Sequence, residues 1–411
     1  MDLIGGNAIW PALDGVIRTY DPLEQSLECE VLVLGGGITG ATLADRLVGA
    51  GRDVVLLDRR NFGWGSTSGS TALLMYEIDT HLSDLIEMYG REAAVTAYRA
   101  GVEAIDRTAD LCRKLGLEAF ERRPSVYFAS NEADGERLAA EFRVRREAGL
   151  RVEWIDRAEF GRTFDFEAAG AIRSLDAAEL DPFRLTHALL DRAAAGGARL
   201  FARTEAIECH EAESGLLVRT NRGAEIRCRQ VVVACGYESV KYLQARVPVS
   251  LHSSFAFATE RFRAPERDAA QGWPDRCFLW ETARPYIYAR RTPDGRALFG
   301  GEDVPFQNDV ARDALLPRKI QRLEARWQEL FPRLSLEVAF CWAGTFAETR
   351  DGLPYIGFPK EQPRAFFALC YGGNGITYSV LAAEILIAAL RGEPHPCREI
   401  FSFDRQAAKP S

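Results

Sequence analysis

Lysine is scarce in this 411-residue chain: five residues, at 114, 241, 319, 360 and 409, against 51 Lys and Arg together. A side-chain amine acting over a reacting group therefore has few places to come from, and none lies between 241 and 319. Histidine is equally sparse, with five residues. The nine cysteines form no CxxC pair and no Cys/His cluster at metal-ligand spacing, so no metal site is expected. An odd count without a framework reads as reduced thiols in a cytoplasmic protein. No apolar run reaches bilayer length: the longest, Val380 to Leu390, spans 11 residues and is broken by Glu384. The opening MDLIGGNAIWPALDG has neither a charged n-region nor an apolar h-region, so no signal peptide is expected. A net charge of -8 and a pI near 5.4 argue against nucleic acid or an anionic membrane as main partner.

What is present is α/β patterning. Cys29 to Leu34 is a short apolar run of the kind buried in a parallel sheet. Ala41, Ala44, Leu47 and Val48 follow at helical spacing until Gly49 and Gly51 stop the helix, and Val54 to Leu57 is a second buried strand. Together they make a βαβ unit of about 30 residues. Further strands are expected at 125–130, 152–155, 199–209 (leading into a hairpin through Ser214-Gly215), 230–234 and 366–369. Helices are expected at 132–149, 183–196, 311–330 and 375–391. Residues 250–303 read as β-strands joined by turns. The expected division is a lead-in arm (1–28), a dinucleotide domain from separated segments (29–85, 165–246 and 340–398), and a substrate domain (86–164 and 247–339).

The glycines of Gly35-Gly-Gly-Ile-Thr-Gly40 sit at the strand-to-helix turn of that unit. Gly35 permits the tight turn, Gly37 lets a pyrophosphate approach the backbone, and Gly40 lets the helix lie against the strand. The helix N-terminus then offers N–H groups and partial positive charge to phosphates. Asp58 ends the second strand 18 residues after Gly40, placed to accept hydrogen bonds from ribose hydroxyls and to repel the 2′-phosphate of NADP. The motif alone does not separate NAD from FAD. Two other stretches favour FAD: the hydroxyl-rich Gly63-Trp-Gly-Ser-Thr-Ser-Gly-Ser-Thr71, and Tyr371-Gly-Gly-Asn-Gly-Ile-Thr377, which opens an apolar helix toward something anionic.

The order GGGITG, GSTSGSTALL, LDP at 180–182, VVVACG, WAGTFAETRDGLPYIG and CYGGNGIT resembles the FAD-dependent amine and amino-acid oxidoreductases, among them D-amino-acid, glycine and sarcosine oxidases. The likeness runs from about Cys29 to Gly392. It implies an α/β (α+β, two-domain) fold: a Rossmann-type FAD domain of separated segments beside a domain with a large, mostly antiparallel sheet. It further implies that Ile38, Thr39, Asp58, Arg59 and the adjoining Arg60 hold the ADP half, with Ala206 meeting the adenine. Ser66, Thr67, Thr71, Ala72 and Leu73 would lie along the middle and flavin portion. Ala234 and Gly236 close the site, and Tyr371, Gly372, Gly373, Asn374, Gly375, Ile376 and Thr377 lie beneath the flavin. The covalent cysteine of sarcosine oxidases corresponds to Gly344, and no His occurs in the 63–75 loop, so the FAD is expected to be non-covalent.

The departures concern the substrate. The carboxylate-binding Arg of glycine oxidase corresponds to Phe346, and sarcosine oxidase cations correspond to Ala72, Met75 and Thr377. The fork that grips an α-carboxylate is thus expected to be missing. Tyr286 matches a substrate-contacting Tyr; Tyr288, Trp280 and Phe346 are candidate walls, and Glu348, Glu302 and Asp303 candidate acids. Aromatics with a carboxylate suit a cationic amine better than a free amino acid. The family reaction is hydride transfer from an amine C–H to flavin N5, the imine then being hydrolysed. No Lys falls where sarcosine oxidases place one over the flavin, so a dehydrogenase with an unidentified acceptor is expected rather than an oxidase. Two further readings stand: oxidation of a C–OH bond in a hydroxy acid or polyol phosphate, for which Arg284, Arg290 and Arg291 would cluster, and a non-catalytic FAD-stabilised subunit. His252 is expected to be structural.

Overall fold

The computed structural model describes residues 2–118, 120–263, 272–369 and 371–405. Its strands form two sheets. In the smaller, the parallel order is Ala365–Leu369, Glu225–Val233, Leu27–Leu34, Val54–Leu57 and Arg199–Phe201, with Tyr355–Gly357 antiparallel at one edge. The apolar run of Leu27–Leu34 explains its central place. Successive side chains point to opposite faces, so Val31 and Val33 enter one core and Leu32 and Leu34 another, each at most 3% exposed. Each such Val or Leu contributes about 1.5–3 kcal/mol on burial. The helices Ile38–Gly49, Pro182–Ala195, Gly375–Arg391 and Arg91–Lys114 build the first core. The antiparallel hairpin Ala206–Ala212 with Gly215–Thr220 contributes to the second.

The larger sheet has ten strands among the described residues. Its path runs Ile4–Gly6, Val338–Thr349, Val249–Thr259, Ala297–Pro305, Tyr288–Arg291, Phe278–Glu281, Glu121–Phe128, Gly170–Glu179 and Leu73–Leu74, with Val152–Asp156 pairing on Gly170–Glu179. All its pairs are antiparallel except Phe278–Glu281 with Glu121–Phe128. Helix Asp309–Leu330 packs on it through Ile320, Leu323 and Trp327. The Asn308 side chain caps this helix by accepting from the N–H of Ala311 at 2.8 Å. An aromatic core forms there, with Trp273 and Phe331 stacked at 4.6 Å.

The helices expected at 132–149, 183–196, 311–330 and 375–391 fall within two residues of that reading, and the two strands of the first βαβ unit are as expected, whereas Leu82–Tyr89 and Arg91–Lys114 are helices that the reading did not include. One expected strand is broken: 199–209 divides into Arg199–Phe201 and Ala206–Ala212, because Arg203 turns to a φ of +49° and the chain leaves the parallel sheet to start the hairpin. Segments 170–179 and 338–349 are strands of the large sheet. Residues 4–6 of the lead-in arm join that sheet too.

Candidate functional site: one cavity with a nucleotide end and an acidic aromatic end

Strand Leu27–Leu34 delivers Gly35 into the left-handed region, with φ of +101°. A Cβ there would lie 2.4 Å from the Ala234 carbonyl oxygen. The helix that follows lies against the strand backbone to backbone, since a Cβ on Gly40 would fall 1.7 Å from the Gly35 oxygen. No acidic residue stands in the first turn of Ile38–Gly49 to compete with an anion. The Ile38 N–H donates to Thr67 Oγ1 at 2.9 Å, which ties the hydroxyl loop to this N-terminus. Asp58 accepts from the N–H groups of Gly36 and Arg60, both at 2.7 Å. Burial nevertheless pushes its carboxyl up to about 6, those two hydrogen bonds opposing the shift. Arg59 and Arg60 pair with Glu238 at 2.6 and 3.0 Å, a half-buried acid with no motif around it to announce it.

In the loop 63–71, Ser66 Oγ is buried without a partner. Unpaired buried hydroxyls are costly, and this one lines the cavity where a ligand oxygen would satisfy it. Ala72 is held at a φ of +54° before the short strand Leu73–Leu74. The turn Tyr371–Thr377 is stapled across to that segment: Asn374 Nδ2 donates to the Glu77 carbonyl at 2.6 Å, and Thr377 Oγ1 to that of Met75 at 3.2 Å. The helix Gly375–Arg391 also has no acid in its first turn, leaving a second N-terminus suited to an anionic group.

At the other end stand Tyr286, Tyr288, Trp280 and Phe346, with Tyr286 at 6.5 Å from Trp280 and 6.1 Å from Tyr288, ring to ring. Ser254 Oγ and Tyr288 OH share a hydrogen bond of 3.0 Å. Three carboxylates converge here: Asp79, Asp303 and Glu348. Burial pushes all three upward; the charge of Asp79 adds to it at Asp303 and Glu348, and that of Glu348 at Asp303, which reaches about 7. Asp303 Oδ1 is buried with no partner, as is Trp280 Nε1. The balancing cations are Arg284, 3.3 Å from Asp79, and His252, 3.5 Å from Glu348 if protonated. Arg350 is exposed at the rim.

One cavity of ≈ 690 Å³ joins these ends. The residues predicted to hold FAD line it except Gly40, whose place is beneath, between helix and strand, and the aromatic candidates Tyr286, Tyr288, Trp280 and Phe346 line it too. His252, expected to be structural, lines it as well. Glu302 does not: at a φ of +58° its side chain turns out to Lys319 and Arg322, at 2.8 and 3.1 Å. Nor do Arg290, buried on Glu179 at 2.6 Å, or Arg291, over the Trp273 ring at 5.9 Å. Asp79 was invisible in the sequence because its segment, YEIDTHLSD, carries no spacing that marks a site. No group of His, Cys, Asp and Glu among the described residues can hold a metal ion, and none of their helices is long and apolar enough to cross a membrane.

A nucleotide fold whose cavity runs on into an acidic aromatic chamber defines a dinucleotide-dependent enzyme. The chain belongs to the DAO family, the FAD dependent oxidoreductases, whose model matches residues 30–389. It is 24% identical over 385 residues to gamma-glutamylputrescine oxidoreductase of Escherichia coli (strain K12), spanning 91% of this chain and 86% of that protein. It is likewise 24% identical over 387 residues to glycine oxidase of Bacillus licheniformis, spanning 92% and 98%. Its fold is similar to the crystal structure of glycine oxidase from Geobacillus kaustophilus, with a TM-score of 0.76, 19% identity, and 93% and 100% of the two chains covered.

FAD fits the residues present. The partnerless Ser66 hydroxyl, the close-packed glycines and two open helix N-termini are what a long bis-phosphate cofactor would use. Gly344 offers no nucleophile, and Cys235, the cysteine that lines the cavity among the described residues, spends its Sγ on the Leu34 carbonyl at 3.3 Å. Acid precipitation is therefore expected to release all flavin into the supernatant. Flavin that stays with the pellet would reveal a covalent link.

Proposed function

We propose that this FAD-dependent oxidoreductase of C–N bonds takes a cationic primary or secondary amine as substrate, held by Asp303, Asp79 and Glu348 between aromatic walls. The observation that carries this reading is the partnerless Asp303 Oδ1 within a group of three mutually repelling carboxylates. Ser254 hydrogen-bonds the Asp303 carboxyl but leaves Oδ1 without a donor; a buried carboxylate oxygen so left is costly, and an ammonium N–H donating to Oδ1 would satisfy it. Trp280 and Tyr286 would add cation–π attraction on the same ligand. Arg284 is engaged by Asp79, which keeps it from acting as a free carboxylate clamp. Phe346 adds an apolar wall where a carboxylate fork would stand.

The chemistry FAD supplies when bound is acceptance of the hydride of the C–H bond beside the substrate nitrogen, so that the C–N bond becomes an imine for water to hydrolyse. The chain's own work is placement and proton handling. Asp303 Oδ1, poised near neutral pH, would receive the ammonium proton so that the nitrogen lone pair becomes available. Tyr286, Tyr288 and Phe346 would orient the carbon chain and keep the chamber dry. Ile38, Thr39, Asp58, Arg59 and Arg60 would hold the ADP half, and the turn 371–377 the flavin end.

The C–OH reading finds little support, because Arg290 and Arg291 are buried elsewhere and leave no basic cluster for a phosphate. Anaerobic flavin bleaching across amines, free amino acids and hydroxy acids ranks the readings, with amines expected first.

The electron acceptor is proposed to be other than oxygen, in a cytoplasmic protein with reduced thiols. The lysine that lines the cavity, Lys241, is paired with Glu205 at 2.6 Å beside the nucleotide end, away from the acid cluster. Photoreduced enzyme is expected to reoxidise in air over minutes. Reoxidation within the mixing time would make it an oxidase.

A further inference from the structure

Residues 2–10 lie outside the family match at 30–389, yet they reach the cofactor cavity. The strand Ile4–Gly6 adds an edge to the large sheet, with Ile4 opposite Gly344 and Gly6 opposite Trp342. Leu3 and Ile4 both line the cavity, and Leu3 is 3% exposed. The Ile4 Cδ1 atom occupies the space of a side chain at Gly69, where a Cβ would meet it at 2.3 Å. The strand is pinned on both sides. Leu3 O accepts the Thr345 N–H at 3.1 Å, Asp2 O accepts from the buried Arg312 at 2.8 Å, and the Asn7 N–H donates to Cys341 O at 2.8 Å. Further on, Trp10 Nε1 donates to the Ser70 carbonyl at 2.6 Å, with the buried Arg290 guanidinium 5.5 Å over its ring.

The geometry points to an N-terminal wall of the cofactor site: we propose that Leu3 and Ile4 seal an apolar part of bound FAD against the hydroxyl loop and Gly344. The adenosine end is made chiefly by Asp58, Arg59, Arg60 and Glu238; the arm reaches it only through Asp2, 3.8 Å from Arg60, while Ile4 lies against Gly69 and opposite Gly344. The part of FAD that an Ile and a Leu would cover is the apolar edge of the flavin ring rather than its sugars or phosphates. The arm would act through binding and retention of the cofactor, with no part in the chemistry itself.

The test is titration of the apoprotein with FAD and, separately, with ADP, in wild type, Ile4→Ala and Ile4→Asp. Ile4 is half-buried without the cofactor; Ile4→Ala is expected to weaken FAD about tenfold, as loss of most of an aliphatic side chain covered by the cofactor implies, and to speed flavin release by a similar factor. Ile4→Asp should weaken it further, while ADP affinity stays within about twofold in both. FAD affinity unchanged in Ile4→Ala would overturn the proposal. So would an equal loss for FAD and ADP, since that would mean general disturbance of the fold. Should Ile4→Asp fail to fold, Ile4→Ala alone decides between these outcomes.

Discussion

Gly40→Val should yield a colourless protein that no longer binds FAD, with affinity lowered by at least about a hundredfold. The cause is steric: the first added carbon would stand 1.7 Å from the Gly35 carbonyl oxygen and 2.9 Å from its carbon, both backbone atoms that have no rotamer to change. Helix Ile38–Gly49 would have to lift off strand Leu27–Leu34, and its N-terminus would leave the place where phosphates approach. Overpacking of this kind costs about 1–3 kcal/mol in a core, and the lost phosphate contacts add to it. Gly49→Ala is the control, because a Cβ at Gly49, at the end of the same helix, meets nothing within 4 Å. It should bind FAD as the wild type does. Visible flavin absorption of the purified variants, followed by titration of the apoproteins, reads both results. A yellow Gly40→Val protein of normal affinity would mean that the close approach of helix and strand is not needed.

Asp303→Asn is the second large effect. Loss of a charge-assisted hydrogen bond in a buried site costs about 1.5–3 kcal/mol, so kcat/KM for a cationic amine should fall between about tenfold and a hundredfold. The pH dependence gives the signature. Burial and the neighbouring Asp79 and Glu348 raise the Asp303 carboxyl to about 7, so the form that holds a cation is populated only above that value. In wild type kcat/KM should therefore rise with pH through about 7, and in Asp303→Asn that limb should be gone. Stability provides a check without substrate. A carboxyl whose folded pKa lies above its unfolded value binds its proton more tightly in the folded state, so apoprotein stability falls as pH rises from the ordinary carboxylate range through about 7. Asp303→Asn should then raise the melting temperature of the apoprotein above pH 7 and change it little in acid. An unaltered pH profile would take Asp303 out of the site.

The nucleotide end was legible in the sequence because its constraints are local. Gly35 and Gly40 are demanded by backbone distances within one turn, and Asp58 by the end of an adjacent strand; short-range spacing records both. The turn at 371–377 was legible for the same reason, as glycines ahead of an apolar helix. The substrate end was less so. Tyr286 and Phe346 came from resemblance, and they do line the cavity. Asp303 and Glu302 looked equivalent as neighbours, and only a positive φ at Glu302 separates the one that faces the cavity from the one that turns to Lys319. Asp79 reaches the chamber from the segment after the hydroxyl loop, and Ile4 from the far end of the chain. Such placements are set by the pairing of strands hundreds of residues apart, which no local pattern encodes. Arg290 and Arg291 show the converse: a basic pair that reads as a phosphate site is spent on burying Glu179 and covering Trp273.

The acidic chamber is proposed to select an amine over the same amine carrying an α-carboxylate. Anaerobic mixing of the oxidised holoenzyme with matched pairs, each amine beside its α-carboxylated counterpart, measures this as the rate of flavin bleaching. The amine of each pair should bleach the flavin faster, and its advantage should shrink in Asp303→Asn. Faster bleaching by the carboxylated member, with Asp303→Asn indifferent to the choice, would mean that the chamber is built for amino acids and that Asp303 does not hold the amine.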